Sequence, residues 1–480
     1  MDSVLIIENK PDIVWLSETS INDRINSNHY RSYMTKNELE IKNSGLEVLR
    51  IKDIVVKIRR GKGLKKDDSG EIPNYKVRNL TNFGINKDDV DLITHREFVN
   101  NKSSHIKIGD VLLASTGVGS LGKVDLFFDD IKATVDGHIT ILTTKEEYDG
   151  GYLKAYLQSR YGQIFIEQNT IGSTGQTELY AKDIGEILIP IPSPKIQKYI
   201  GDKVRRAEEL REEARRLKNE AEQIFETDIN LKDIVSKSNS KERFYWKNND
   251  ELEQRIDMKY NSIDMEIIRE HFSNYKTIKL QDAFKLISGY SFSSDMFNGK
   301  GNSKIVKIGN LNTYGINVDD LENIDIGNMK NNVDKFICEN GDILYAMTGA
   351  TLGNSSIFIK DDKINAYVNQ RVLCFKQKKD IPTGYLLMLL NSYIGRTISF
   401  CLSTGVAQPN ISIEDLRDIS VPIIDKQKMN KIHDNLTDSI IKINKSKKLI
   451  QQAKQDVEDL IEGNFDMSKL NDDSSTESRC

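Results

Sequence analysis

Residue types able to cut DNA occur near the N-terminus. Asp12, in Pro11-Asp12, with Glu40 and Lys42, in Glu40-Ile41-Lys42, forms the carboxylate-and-lysine set that holds Mg²⁺ and activates water in many nucleases. The pattern is short, and in a chain with 29% charged residues such sets recur by chance. ELEIK reads as an exposed amphipathic stretch, so a nuclease stays only as an alternative. The six histidines show no HExxH spacing, and His138 in DGHIT reads as a loop or strand residue. Neither a GxxxxGKS nor a GxxxxGKT phosphate loop occurs, and neither does NPPY or DPPY, the polar-aromatic strings that hold an extruded base. Cys338, Cys374, Cys401 and Cys480 stand far apart without CxxC spacing and read as small buried or incidental residues. Metal, ATP and methyl-transfer chemistry are therefore expected elsewhere than in this chain, and no metal site is expected in it.

A second kind of chemistry, contact with polyanions, has a better foothold. KDIVVKIRRGKGLKK sets seven basic residues (Lys52, Lys57, Arg59, Arg60, Lys62, Lys65, Lys66) against the single Asp53. On a glycine-containing turn they suit phosphate contact, with Arg59 or Arg60 reaching guanine edges, and Arg78 follows as a further candidate. The bland alternative is a solvated basic face. Overall, 68 basic and 72 acidic side chains leave a net charge of −4, which excludes a nonspecific basic DNA coat and throws the argument onto local clusters.

The elements that must position these residues come in two copies. Arg24 of RINSNHY and Arg255 of RIDMKY are 231 residues apart, as are Asn79 and Asn310, and Gly84 and Gly315. KIGDVLLASTGVGSLGK (Lys107 to Lys123) matches ENGDILYAMTGATLGN (Glu339 to Asn354), and GGYLKAYLQSRYGQ matches TGYLLMLLNSYIGR. STGQTELYAKDIGEILIPIP from Ser173 is set against STGVAQPNISIEDLRDISVPII from Ser403. Each copy reads as mixed α/β. Gly-Asp turns open buried strands that end in glycine loops, and YLKAYLQSRYGQIFI and YLLMLLNSYIG each read as a core-facing helix. Pro190, Pro192, Pro194 and Pro422 are expected to stop the preceding strands. Where the first copy has its basic stretch, the second has KLISGYSFSSDMFNGKGNSK, with Tyr290, Ser291, Lys300 and Lys304 as candidate DNA contacts. The glycine loops could bring backbone amides to phosphate, although glycine there also answers to backbone geometry.

Both copies run into long, breaker-poor charged stretches. Ala207, Leu210, Ala214, Leu217, Ala221 and Ile224 fall in steps of three and four. Ile443, Ile450 and Val457 fall seven apart, with Ala453 and Leu460 in the other seam position. Two helices, paired antiparallel within the chain, satisfy both stripes; an intermolecular partner is the alternative.

The motif STGxxQxxIxxxDLxxIxVPxP followed by a long charged helix, present twice, resembles the specificity subunits of Type I restriction-modification systems. The second copy is the closer match, through Ser403, Thr404, Gly405, Gln408, Asn410, Ile411, Asp415, Leu416 and Pro422. In the first copy, Ser173, Thr174 and Gly175 are followed directly by Gln176, and Glu178 stands where the second has Asn410. The resemblance implies a non-catalytic chain with two target-recognition domains that read a bipartite, asymmetric site in double-stranded DNA, held apart by the paired helices. It implies docking of two methyltransferase subunits and of restriction-translocase subunits, with S-adenosylmethionine, ATP and Mg²⁺ confined to those partners. The expected layout is a first recognition domain over 1–194, helix and connector over 195–250, a second domain over 251–424, the second helix over 425–463 and a disordered tail over 464–480. No apolar run reaches the roughly 18 residues needed to span a bilayer, and a cytoplasmic location is expected. Two alternatives remain: a partner with fused methyltransferase and nuclease, and a coiled-coil scaffold with no DNA role.

Overall fold

The computed structural model describes residues 5–7, 13–15, 27–172, 177–239, 246, 255–297, 299, 301–311, 314–316, 318–327, 333–359, 364–405 and 407–472. The chain divides into two compact units, one of Met1–Leu210 with Lys445–Cys480, the other of Arg211–Asn444. The division runs through both long helices rather than at their ends.

Each unit is mixed α/β. Among the described residues of the first, an antiparallel sheet runs in the order Val124–Leu126, Val111–Ala114, Ile139–Thr144, Val55–Arg60. A second sheet follows the order Asp91–Ile93, Ile72–Tyr75, Ala133–Val135, His105–Ile106. The second unit repeats the plan with Phe284–Ser288, Val372–Gln377, Ile343–Ala346, Ser355–Ile357 and Tyr314–Gly315, and a smaller sheet of Glu322–Ile324, Ser303–Val306 and Ala366–Val368. The Gly-Asp turns open the central strands as expected. Gly109 and Gly341 both sit at φ 86°, a left-handed backbone that disfavours a Cβ, and each donates its amide across the turn, to Phe127 and Phe358.

Two local readings need correction. The stretches read as single core helices are pairs, Gly150–Gln158 with Arg160–Asn169 and Thr383–Asn391 with Tyr393–Leu402. Ser159 (ψ 164°) and Ser392 (ψ 170°) leave the helical backbone, and each hydroxyl caps the next helix by accepting the amide of Gly162 or Gly395. Pro190 and Pro422 do not stop their strands but lie inside them, in Leu188–Ile191 and Ser420–Ile423. Each strand belongs to a two-stranded sheet, with Glu47–Arg50 or Lys276–Lys279, so its other edge needs no amide donor. The proline carbonyls still accept, from the buried hydroxyls of Tyr152 (2.6 Å) and Tyr385 (2.7 Å). Pro194 opens the first long helix at a position where its missing N–H costs nothing.

The long helices span Pro194–Asp228 and Lys426–Glu462, about 50 Å each at 1.5 Å per residue. In the first unit Ile200, Val204 and Ala207 share a buried cluster with Ile450, Ala453, Val457 and Leu460, and Lys203 pairs with the buried Asp456. In the second, Ala221 and Phe225 cluster with Met429, Ile432, Leu436 and Ile440. There Glu213 pairs with Lys442, Glu220 accepts from Asn435 (3.2 Å), and Asp228 pairs with Lys428 (2.7 Å). One number rises as its partner falls, so the helices run antiparallel. Leu210 and Ala214 are buried with the seam, whereas Leu217, Ile224 and Ile443 are half-buried.

Residues 464–472, expected to be disordered, are instead ordered. Phe465 and Leu470 pack against the first unit's core, Lys469 pairs with Asp456 (3.0 Å), and Lys469–Asp472 is helical. These two apolar anchors, three and eight residues beyond the helix end at Glu462, suffice to order the segment. Among the described residues no single helix is long and apolar enough to cross a membrane. The bent pair Thr383–Asn391 and Tyr393–Leu402 passes on length and composition, and most of its apolar residues lie in the second unit's core.

Candidate nucleic-acid interface

Four separate stretches of the first unit meet at one cluster of strand ends. The strand Val55–Arg60 runs into Gly61, whose amide donates to Ile139 (3.0 Å). A Cβ on Gly61 would lie 2.2 Å from the Asp136 carbonyl oxygen, so only glycine allows this approach. The turn after Ala133–Val135 places the His138 carbonyl against the Ser115 amide (2.9 Å), and the His138 ring Nδ1 is 2.5 Å from the Thr116 hydroxyl. Thr116 bridges to Glu178, which Arg60 pairs with while donating also to the Gly137 carbonyl. The Arg60 hydrogen bond holds the Glu178 carboxyl below its ordinary pKa, whereas burial pushes Asp136 up, against the amide it accepts from His138.

The second unit builds the same cluster with other side chains. Gly289 donates to Val372 (2.9 Å), and a Cβ there would lie 2.0 Å from the Asn369 carbonyl oxygen. Met347 donates to the Arg371 carbonyl (3.0 Å), Ile411 to Met347 (3.0 Å) and Gly349 to Pro409 (2.9 Å), and Thr348 bridges to Asn410. Gly61 thus matches Gly289, the turn 136–138 matches 369–371, and Glu178 matches Asn410 as expected.

The register of the repeat motif is different from the one its letters suggest. Ile171 bridges to Glu178 as Thr404 bridges to Asn410, and positive-φ Gly172 stands where Gly405 does. Thr170-Ile171-Gly172, not Ser173-Thr174-Gly175, therefore corresponds to Ser403-Thr404-Gly405. Ser173, Thr174, Gly175 and Gln176 lie outside the described residues, as does Lys300. Ser403 is buried, its hydroxyl donating to Phe400 (2.7 Å), while Thr404, Gly405, Gln408 and Asn410 are exposed.

The basic stretch is split by the fold. It is not one turn: it starts as the short helix Ile51–Ile54 and the strand Val55–Arg60. Alternation along the strand sends Arg59 inward to the fully buried Asp110 (3.1 Å), which also takes the Thr143 hydroxyl and the Lys107 amide. Arg59 therefore cannot reach a base without leaving a buried carboxylate unpaired. Lys52 pairs with Glu186, Lys66 with the exposed Asp68, and Arg78 with Asp91 (2.7 Å) and Asp89 (3.2 Å). Lys57, Lys62 and Lys65 are exposed. In the second unit Lys304 is held by the Leu321 carbonyl (2.9 Å), Tyr290 packs edge-on to Phe292, and Ser291 is exposed. The turn 369–371 was missed, although ATVDGHITI against AYVNQRVLC carries its signal. Among the described residues no set of three His, Cys, Asp or Glu gathers to hold a metal, and Glu40 of the nuclease alternative faces Arg160 (3.5 Å). Asp12 lies outside the described residues.

The family model for the Type I restriction modification DNA specificity domain matches residues 43–223 and again residues 273–455. The chain belongs to this family. As a Type I specificity protein it is a non-catalytic, DNA-recognising member of a restriction-modification system. Among solved structures it is similar to the S subunit of a Type-I restriction-modification system from M. genitalium, at 15% identity and TM-score 0.46 over 88% of this chain and 97% of that one. It is similar also to the HsdS subunit from Thermoanaerobacter tengcongensis, at 13% identity and TM-score 0.30 over 88% of this chain and 97% of that one. No curated protein matches it.

The two neighbouring arginines should separate cleanly. Arg59→Ala is expected to lower folding stability by about 3 kcal/mol, because it strands the Asp110 carboxylate. Arg60→Ala, which opens a part-exposed pair, should cost about 1 kcal/mol or less and act on DNA binding instead. Urea midpoints of the two variants check this, and equal midpoints would return both arginines to the same role.

Proposed function

We propose that each recognition domain reads one half of a bipartite, asymmetric duplex site through its loop cluster, the domains being 1–194 and 251–424. The observation that carries this reading is one scaffold of glycine turns and backbone hydrogen bonds, present in both units but fitted with different side chains. Arg60, His138 and Glu178 occupy it in the first unit, Tyr290, Arg371 and Asn410 in the second. Constant backbone with changed side chains suits two readers of two sequences. Lys57, Lys62 and Lys65 supply exposed charge for phosphate in the first domain. The antiparallel helices set the separation of the half-sites and dock two methyltransferase subunits, which restriction-translocase subunits join. S-adenosylmethionine, ATP and Mg²⁺ belong to those partners.

Domain replacement tests it. Exchanging residues 24–190 for the matching domain of another specificity subunit, with the partner methyltransferase present, should change one half of the methylated motif and leave the other half and the spacer intact. A motif changed in both halves, or in neither, would refute the assignment of one domain to one half-site.

A further inference from the structure

We infer that the turn Asn369–Arg371 is a base-reading element of the second domain, with Arg371 donating to a guanine edge in the major groove and Gln370 contacting the neighbouring base. This rests on the proposed reading of one half-site by that domain.

The backbone argument comes first. Arg371 has φ 70° and is, with Asn230, one of two non-glycine residues at positive φ among those described. Left-handed backbone is costly for a residue with a Cβ and persists where the surroundings over-determine it. Here they do. The Asn369 amide donates to Val306 (3.0 Å), the Gln370 amide to Tyr290 (2.8 Å), the Val372 amide to Asn369 (3.2 Å), and the Arg371 carbonyl accepts from Met347 (3.0 Å). The Asn369 side-chain oxygen takes the Gln370 amide as well (2.8 Å), and Gly289 seals the turn from beneath. The turn is thus rigid, which is what a side chain needs if it is to discriminate between donor and acceptor patterns.

The side chains are free to do so. Gln370 and Arg371 are exposed, and among the described residues neither side chain makes an ion pair or hydrogen bond, unlike Arg59, Arg60 and Arg78 of the first unit. Exposed Ser291, Gln408 and Asn410 belong to the strand ends and loops that meet at this turn. A guanidinium presents a planar fork that fits guanine O6 and N7 together, and an amide fits adenine N6 and N7. The first unit has Gly137 and His138 in the same places, with His138 already engaged by Thr116, so the two domains would read different bases from one position.

The test uses the full chain with its methyltransferase partner and reads methylated motifs in genomic DNA, together with duplex affinities across a salt series. Arg371→Gly removes the side chain and suits the left-handed backbone, so the turn survives; Arg371→Ala is the companion. Both should make one position of the second half-site degenerate, with roughly ten- to hundredfold loss of preference for guanine there and the first half-site unchanged. An unchanged motif with both variants would overturn the inference while leaving the domain-to-half-site assignment intact. A uniform loss of affinity across sequences, with the salt slope reduced by about one, would overturn it in favour of a phosphate contact. Failure of the domain exchange described above would instead defeat the reading on which it rests.

Discussion

Lys154→Met is expected to destabilise the first unit by about 3–5 kcal/mol, the cost of removing one partner of a fully buried ion pair. Lys154, from the helix Gly150–Gln158, meets Asp125, from the strand Val124–Leu126, with side-chain exposures of 1% and 0%. One Asp125 oxygen also accepts the Leu126 amide at 2.8 Å, and the other has no hydrogen-bond partner. Without the ammonium the carboxylate would keep a single backbone donor in an apolar interior. The second unit shows what the site tolerates. Leu344 pairs with Ser356 as Leu112 pairs with Asp125, and Leu387 lies four residues after Thr383 as Lys154 lies four after Gly150. The double variant Lys154→Leu with Asp125→Ser should therefore regain most of the loss, since replacing a buried pair with neutral groups is often neutral or stabilising. Urea unfolding gives the size of the effect, and hydrogen exchange at the amides of 124–126 locates it. A double variant no more stable than Lys154→Met would show that packing around the lysine stem, not the stranded charge, sets the cost.

Much of this architecture is legible in the sequence because duplication writes it twice. The constant spacing of Asn79 with Asn310, the Gly-Asp turns, and the apolar stripes of the long helices need only local rules. What escapes is decided by pairing between distant strands. Arg59 and Arg60 look equivalent as letters, yet the register Arg59 to Ile141 and Arg60 to Thr140 turns one toward Asp110 and the other toward Glu178. In the second unit the matched Asp342 is neutralised from a different strand, by Lys376 (2.8 Å), so comparing the copies does not reveal the partner of Asp110. The repeated letters STG mislead for a related reason. Backbone bridges to Glu178 and Asn410 set the correspondence, and they align Thr170-Ile171-Gly172 with Ser403-Thr404-Gly405 whatever letters follow.

Under the proposed reading the helices fix the half-site spacing, and a four-residue insertion in both should change the recognised motif in a defined way. The insertions belong after Ala214 and after Ile440, on the same side of the Glu213–Lys442 ion pair, so that both antiparallel partners lengthen at one level. Four residues add about 6 Å of rise and about 40° of net right-handed rotation. B-DNA advances about 3.4 Å and turns about 34° per base pair, so the spacer should grow by about one or two base pairs while both half-site sequences persist. A seven-residue insertion makes the opposite case. It keeps the heptad seam and adds about 10.5 Å, close to three base pairs, but its net rotation is about −20° where three base pairs turn by about 100°. Seam stability favours seven and phase along the duplex favours four. If the helices act as a ruler, phase decides, and the seven-residue variant should fold yet methylate poorly at any spacer. A four-residue insertion in the first helix alone should shift Glu220 from Asn435 and Asp228 from Lys428, and lose both activity and stability. Methylated motifs read from genomic DNA distinguish these outcomes. Full activity of the paired four-residue variant at the original spacer would reduce the helices to docking surfaces and end the ruler mechanism.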